Sequence, residues 1–479
     1  MIAQIPQQPV GGSLLTNGVL VAIVVLLHIQ IAAFIIGASM LACVSEAISL
    51  VRRNHDERHD RLTHWYVKCM VYVFGFGSAL AIFFLILVLV GYWGKFFVAL
   101  QQITFPAFFL EAVAFAVEIA LLYTLYANWQ RLAAHRRARL GMLLLLSLAF
   151  WWQMFFIDIV ASFMLTPNGG DVDIVHQILN PTQTPLTVHR TIGNIAWAGA
   201  VLAFAGALRY VLATRRAERS EAGSFATVPA QSVGAMAAVE GGDDSPNARE
   251  ARFWDWAAQW GAVWAVGLTL FQPWVGYSYA KEVQLHSYPS WYNMMFGDLS
   301  NVFLLQIALL GFIFTIGAAY FWRRMKASGA PHHRRQGVIT ILLLAVTLFA
   351  AQPAWFALSY QDVITAGLDR PWWEGGILNP LGNFIPFKVG CLFAMVFLAL
   401  WSLTSYMRAV SRDSIRPARM GRRAQSLLLA LGALVSVMMI VMGVIREHAR
   451  QPYLISGELT IQGQQITNTN PSPTGGTTP

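Results

Sequence analysis

Four sets of ionisable side chains lie inside long apolar runs. They are His28 in VVLLHIQIAAFIIG, Glu111 and Glu118 in FFLEAVAFAVEIALL, His189 in NPTQTPLTVHRTIGN, and Glu447 with His448 in REHARQPY. A carboxyl or imidazole in hydrocarbon is costly, and a chain that keeps one there usually has a use for it. A neutral imidazole offers a nitrogen lone pair to a metal, and a buried carboxyl can ligate or relay protons. Both kinds at one depth suggest a bound metal or haem served by a proton path.

Each residue also has a plainer explanation. His28 is either a ligand or a histidine hydrogen-bonded to a neighbouring helix. Glu111 and Glu118 are seven residues apart, so at about 100° per residue they share one helix face, two turns apart. They form a proton route, or a haem ligand plus a proton relay; a single glutamate could equally pair with an arginine. Asp158, in WWQMFFIDIVASF, extends that route or ties two helices together. His189 is suited to bind haem iron axially, or is a surface histidine; Arg190 beside it is suited to a haem propionate. Glu447 and His448 could be the charged fringe of a helix end. His55, His59, His64, His332 and His333 fall in basic loops and read as solvated. The PWW run at 371–373 and most tryptophans read as interface belts.

Positioning these groups falls to membrane-spanning helices. Of 479 residues, 56% are hydrophobic and 12% charged, with mean hydropathy +0.52. That excludes an ordinary soluble protein and predicts a polytopic, all-α membrane helix bundle, a single integral membrane domain over 1–479. Ten spans are predicted, at roughly 16–50, 65–92, 105–128, 140–165, 189–213, 253–280, 301–322, 338–360, 385–408 and 426–448. The first apolar run lacks a basic leader and, at about 33 residues, exceeds a signal-peptide core, so it is expected to remain a helix.

Basic residues alternate from loop to loop. RRNHDERHDR follows the first span and RRMKASGAPHHRR the seventh, whereas 166–188 has no Lys or Arg. By the positive-inside rule the odd-numbered loops are cytoplasmic and both termini outside. The net charge of +9 is thus an orientation signal, not a nucleic-acid surface. Residues 217–252 are expected to be a flexible cytoplasmic loop and 463–479 a disordered outer tail. Cys43, Cys69 and Cys391 form no CxxC, which argues against a disulfide framework, a zinc ribbon or covalently attached haem c. No internal repeat supports an inverted-repeat transporter.

At these residues the chain resembles subunit I of the cytochrome bd-type quinol oxidases. His28 with Gly37 nine residues on is similar to the family's first-helix histidine, a ligand of the oxygen-reducing haem pair. Glu118, eleven residues before Trp129 in WQRL, matches the second glutamate of the third helix. Glu111 stands near the first, with a spacing of seven here against eight in the family. Asn180-Pro181 followed by His189 resembles the segment holding the low-spin haem b histidine. Glu447, three residues before Arg450-Gln451-Pro452-Tyr453, resembles the haem-binding glutamate ahead of the family's GRQPW motif.

The resemblance covers most of 16–280 and 385–453, and the chain departs from it in places. FKVGC puts Lys388 at a family arginine and Gly390 where the methionine ligand of the low-spin haem belongs; Met395 is seven residues beyond Lys388. The hydrophilic quinol loop is replaced by two apolar spans, the helix after GRQPW is missing, and His448 is an extra candidate ligand.

The resemblance therefore implies a divergent terminal oxidase subunit of a bacterial inner membrane. It would carry one or two haems b and a haem d or further haem b. It would reduce O2 to water with electrons from the outer side and protons from the cytoplasm. Catalytic roles fall to Glu111, Glu118 and Glu447. Haem iron falls to His28, His189 and Glu447, with Glu111 a further candidate, and other cofactor contacts to Arg190, Lys388, His448 and Arg450. The implied partners are a second subunit, membrane lipid and, as donor, quinol or a periplasmic cytochrome c. Two competing functions are a haem b electron-transfer subunit without O2 reduction and an ion or proton transporter.

Overall fold

The computed structural model describes residues 17–51, 57–86, 94–166, 174–224, 246–295, 299–350, 385–415, 422–449, 453–455, 459–462 and 465–468. The expected helical membrane bundle is what forms. Among the described residues, eight helices are long and apolar enough to cross a membrane. They lie within α1 (Asn17–Val51), α2 (Glu57–Phe84), α4 (Phe105–Ala127), α6 (Arg136–Leu165), α8 (Gln183–Ser224), α12 (Ser300–Ala327), α14 (Ile385–Ser411) and α15 (Arg422–Ala449). Shorter helices are α3 (Gly94–Ile103), α5 (Trp129–Leu132), α7 (Ile174–Ile178) and α11 (Tyr288–Met295).

Two of the ten predicted spans differ. The sixth, 253–280, is broken into α9 (Pro246–Thr269) and α10 (Gln272–His286), with a turn at Leu270 and Phe271. Pro273 explains the break: it has no N–H to donate and its ring crowds the preceding turn. The eighth, 338–360, is described only as α13 (Arg334–Ala350); the rest lies outside the described residues.

The expected 217–252 loop is also shorter. α8 runs on through Ala217–Ser224, whose AERSEA stretch is rich in helix formers, and α9 already starts at Pro246, a residue suited to a first helical turn. Past the last helix, β1 (Tyr453–Ile455), β2 (Leu459–Gln462) and β3 (Gln465–Asn468) form an antiparallel sheet in that order, with Leu459 opposite Asn468 and Gln462 opposite Gln465. Part of the expected 463–479 tail is therefore strand. Apolar and polar residues alternate in LTIQ, and QITN carries an adjacent Ile and Thr, a weak strand signal inside an otherwise tail-like composition.

The chain divides into two compact units. The first comprises residues 1–191, 274–300 and 442–479. Here α1 packs on α2 and α6, and α4 on α6. Leu41, Leu62, Tyr66, Met70, Leu122 and Leu143 are fully buried between them. At the basic end of these helices Arg139 is buried with Glu46, donating to it at 2.7 and 2.9 Å, and also pairs with Asp60. Its guanidinium lies 4.4 Å from the centre of the Trp129 ring, which stacks on His64 at 4.7 Å. His59 is buried, with Nδ1 3.0 Å from Ser45 Oγ. His59 and His64 are thus packed side chains, not solvated ones: α2 starts early enough to draw them into the bundle.

The second unit comprises residues 192–273 and 301–441. Gly199 on α8 and Gly261 on α9 face each other so closely that a Cβ on Gly261 would lie 2.6 Å from both Ala203 N and Gly199 O. Small residues let helix backbones approach where lipid supplies no hydrophobic drive. Gly261→Leu is expected to destabilise the protein by about 1–3 kcal/mol through overpacking. Thermal unfolding in detergent checks this; an unchanged midpoint would contradict the close contact. Elsewhere in this unit Asp255 and Arg324, both fully buried, pair through two hydrogen bonds of 2.7 and 2.5 Å. Gln425 donates to the same carboxylate at 3.0 Å.

Candidate functional site

His28, Glu111, Glu118, Asp158, His189 and Arg190 all belong to the first unit. His28 projects from α1 toward α2, and its Nδ1 lies 3.3 Å from the carbonyl oxygen of Gly77. A carbonyl only accepts, so Nδ1 carries the proton and Nε2 keeps its lone pair. Gly77 makes this approach feasible: a Cβ there would lie 2.7 Å from Ile31 Cγ2. A ring nitrogen held this way is the usual support for a metal-binding imidazole.

Glu111 and Glu118 sit on α4, Glu118 fully buried and Glu111 half-buried, within electrostatic range of each other. Opposite Glu118, on α6, the Gln153 amide reaches both of its carboxylate oxygens, at 3.1 and 3.3 Å; since carboxylate oxygens only accept, the amide is oriented with its nitrogen toward them and donates. Gln153 lies in the WWQMF run and is a polar residue in an apolar helix, the same signal that picked out the glutamates. What the sequence could not indicate is that it faces Glu118.

The turn before α8 explains how His189 is placed. Asn180 Nδ2 donates to the Thr166 carbonyl at 2.7 Å, and Asn180 Oδ1 accepts from Thr166 Oγ1 and from the Thr182 N–H. Gln183 ties α8 to α6, accepting from Ser162 and donating to the Phe155 carbonyl. About two turns on, Trp151 Nε1 donates to Thr191 Oγ1 at 3.0 Å. This lattice fixes the first turns of α8, and His189 with them. His189 is half-buried, with its Nδ1 enclosed. Its ring lies 6.4 Å from that of Tyr279 on α10, and a β-carbon on Gly276 would come within 3.5 Å of its Cε1.

Arg190, expected beside a propionate, forms an ion pair with Asp158. Asp158 is fully buried and also accepts from Thr187 Oγ1 at 3.0 Å. Asp158 therefore joins α6 to α8, the second of its two predicted roles. Arg446, on α15, donates to the Ala161 carbonyl at 2.5 Å and lies within electrostatic range of Asp158 and Tyr279. Thr187, Tyr279 and Arg446 were not singled out from the sequence. Arg446 stood in the quoted REHARQPY run but looked like part of a charged fringe.

The remaining candidates are less fully placed. Glu447 and His448 fall in the last turn of α15, and Lys388 in the first turn of α14; Arg450 lies outside the described residues. Gly390 is exposed, so no side chain serves at the methionine position. Met395 is fully buried within the second unit, its sulfur accepting from Thr347 Oγ1 at 3.3 Å. Among the described residues no three His, Cys, Asp or Glu side chains converge on a bare metal ion. Single imidazoles on separate helices are the donor set of haem, whose macrocycle supplies the other four ligands.

The family model for cytochrome bd terminal oxidase subunit I matches residues 19–289. No curated protein matches. Among solved structures, the bd oxidase from Geobacillus thermodenitrificans is similar at 14% sequence identity and a TM-score of 0.47, covering 91% of this chain and 98% of that one.

Proposed function

Because the chain belongs to the cytochrome bd terminal oxidase subunit I family, we propose that this multi-pass membrane protein is the haem-bearing subunit of a terminal oxidase. In this proposal it reduces O2 to water with electrons from the outer side and protons from the cytoplasm. The observation that carries it is His28, whose Nδ1 is committed to the Gly77 carbonyl and whose Nε2 is left for iron.

The residues divide the work. His28 and Glu447 hold the haems of the oxygen site, with Glu111 and His448 as further ligands. His189 holds a low-spin haem b. Haem b, or haem d at the oxygen site, supplies one-electron chemistry and the coordination position where oxygen is reduced. Glu118 holds protons for that site. The Gln153 donors fix its carboxyl and leave each oxygen a second lone pair for the proton. Lys388 and Arg450 supply positive charge for propionates, since Arg190 is engaged by Asp158. The basic odd-numbered loops face the cytoplasm, and the membrane is a bacterial inner membrane. A second subunit completes the oxidase. Without the family's long hydrophilic loop, a periplasmic cytochrome c fits as donor better than quinol does.

A reduced-minus-oxidised optical spectrum of the purified complex, repeated with carbon monoxide, tests this. The expected result is haem bands with a carbon monoxide-sensitive high-spin component. Low-spin haem b alone, unmoved by carbon monoxide, would make the chain an electron-transfer subunit. Absence of haem would leave the carboxylates as an ion path.

A further inference from the structure

The ion pair beside His189 has no part in the scheme above. Asp158 is fully buried and takes two donors, Arg190 and Thr187. Those donors flank His189 on the same turn of α8, at two residues before and one after. Arg446 and the Tyr279 hydroxyl lie within electrostatic range of the same carboxylate. The fully buried Asp158 carboxylate would be costly to hold charged without donors, whereas Arg190 keeps about a quarter of its side chain exposed. The chain therefore maintains one negative and two positive groups around the start of α8, inside a medium that screens them poorly.

We propose that Asp158 is a positioning residue that sets the reduction potential of the haem held by His189. It holds Arg190 on the α6 side of α8 and offsets its charge. This rests on the assignment of a haem to His189. The ferric form carries one more positive charge than the ferrous, so a nearby carboxylate favours the ferric form and a guanidinium the ferrous. Loss of Asp158 leaves Arg190 and Arg446 without their counter-charge and favours the ferrous form. Loss of Arg190 does the opposite. Thr187, which donates to Asp158 from the turn carrying His189, fixes the distance over which both charges act.

Redox titration of the low-spin haem in the intact complex tests this. Asp158→Asn keeps the side-chain shape and is expected to shift the ratio of reduced to oxidised haem at fixed potential by about tenfold toward reduced, a rise of about 59 mV for one electron. Arg190→Gln is expected to shift it the other way, and the double variant to return near the parent. A general disturbance of the helix contact would move both single variants in one direction. That result, or an unshifted Asp158→Asn, would overturn the proposal. His189→Ala keeps the two questions apart. If the low-spin band survives it, the haem assignment is wrong; if the band disappears but Asp158→Asn leaves the potential in place, the tuning role is wrong.

Discussion

Replacing His28 with alanine is expected to remove the carbon monoxide-sensitive haem component and to abolish oxygen uptake, while the low-spin haem that the proposed scheme assigns to His189 persists. The imidazole is braced through Nδ1 by the Gly77 carbonyl, so under the proposed assignment its loss takes away a ligand and not a mobile surface group. Loss of a supporting partner alone typically costs 10–100-fold in affinity or activity, and loss of the ligand itself should cost more. The brace offers a graded control. Gly77→Ala pushes a methyl group against Ile31 and disturbs the acceptor without touching the ligand. It should weaken the same component by less. Optical spectra with and without carbon monoxide, and oxygen consumption with an artificial donor, read both variants. A His28→Ala protein that keeps the carbon monoxide-sensitive band would remove His28 from the oxygen site. One that loses oxygen uptake and every haem band together would point to a collapsed bundle instead.

The largest stability effect is expected in the second unit, at Arg324. Its side chain and that of Asp255 are fully buried and joined by two hydrogen bonds, with Gln425 on the same carboxylate. Arg324→Met leaves Asp255 charged or forces it to take up a proton, and breaking a buried pair from one side costs about 3–5 kcal/mol. Adding Asp255→Asn removes the stranded charge and keeps an oxygen to accept from Gln425. The double variant should therefore recover most of the loss, because a buried pair often contributes little over a neutral replacement. Denaturant or thermal unfolding in detergent gives the comparison. Equal losses in the single and double variants would mean that packing of the long side chain, not charge, dominates at this point.

Much of this protein follows from one physical fact: hydrocarbon cannot satisfy a polar backbone or solvate a charge. That fact alone marks ten apolar runs as spans, because a segment of bilayer length must close its own hydrogen bonds, and eight of them are helices of spanning length among the described residues. It also marks His28, Glu111, Glu118, Asp158 and His189 as residues with a purpose, since each stands in such a run. The failures have equally definite causes. Pro273 broke a predicted span because hydropathy ignores a missing N–H. His59 and His64 looked solvated because their neighbours in sequence are charged, yet their neighbours in space are Ser45 and Trp129.

Pairing is what the tertiary structure decided. From the sequence, Arg190 was free to meet a propionate and Asp158 to extend a proton path; in the fold they meet each other, 32 residues apart. Gln153 was one polar residue among aromatics until α4 turned Glu118 toward it. Which residues are too costly to leave unpartnered is a property of each side chain and its local run, so it can be read along the chain. Which partner each one takes depends on how the helices are rotated and how closely their backbones approach, and that is set by contacts between segments far apart in sequence.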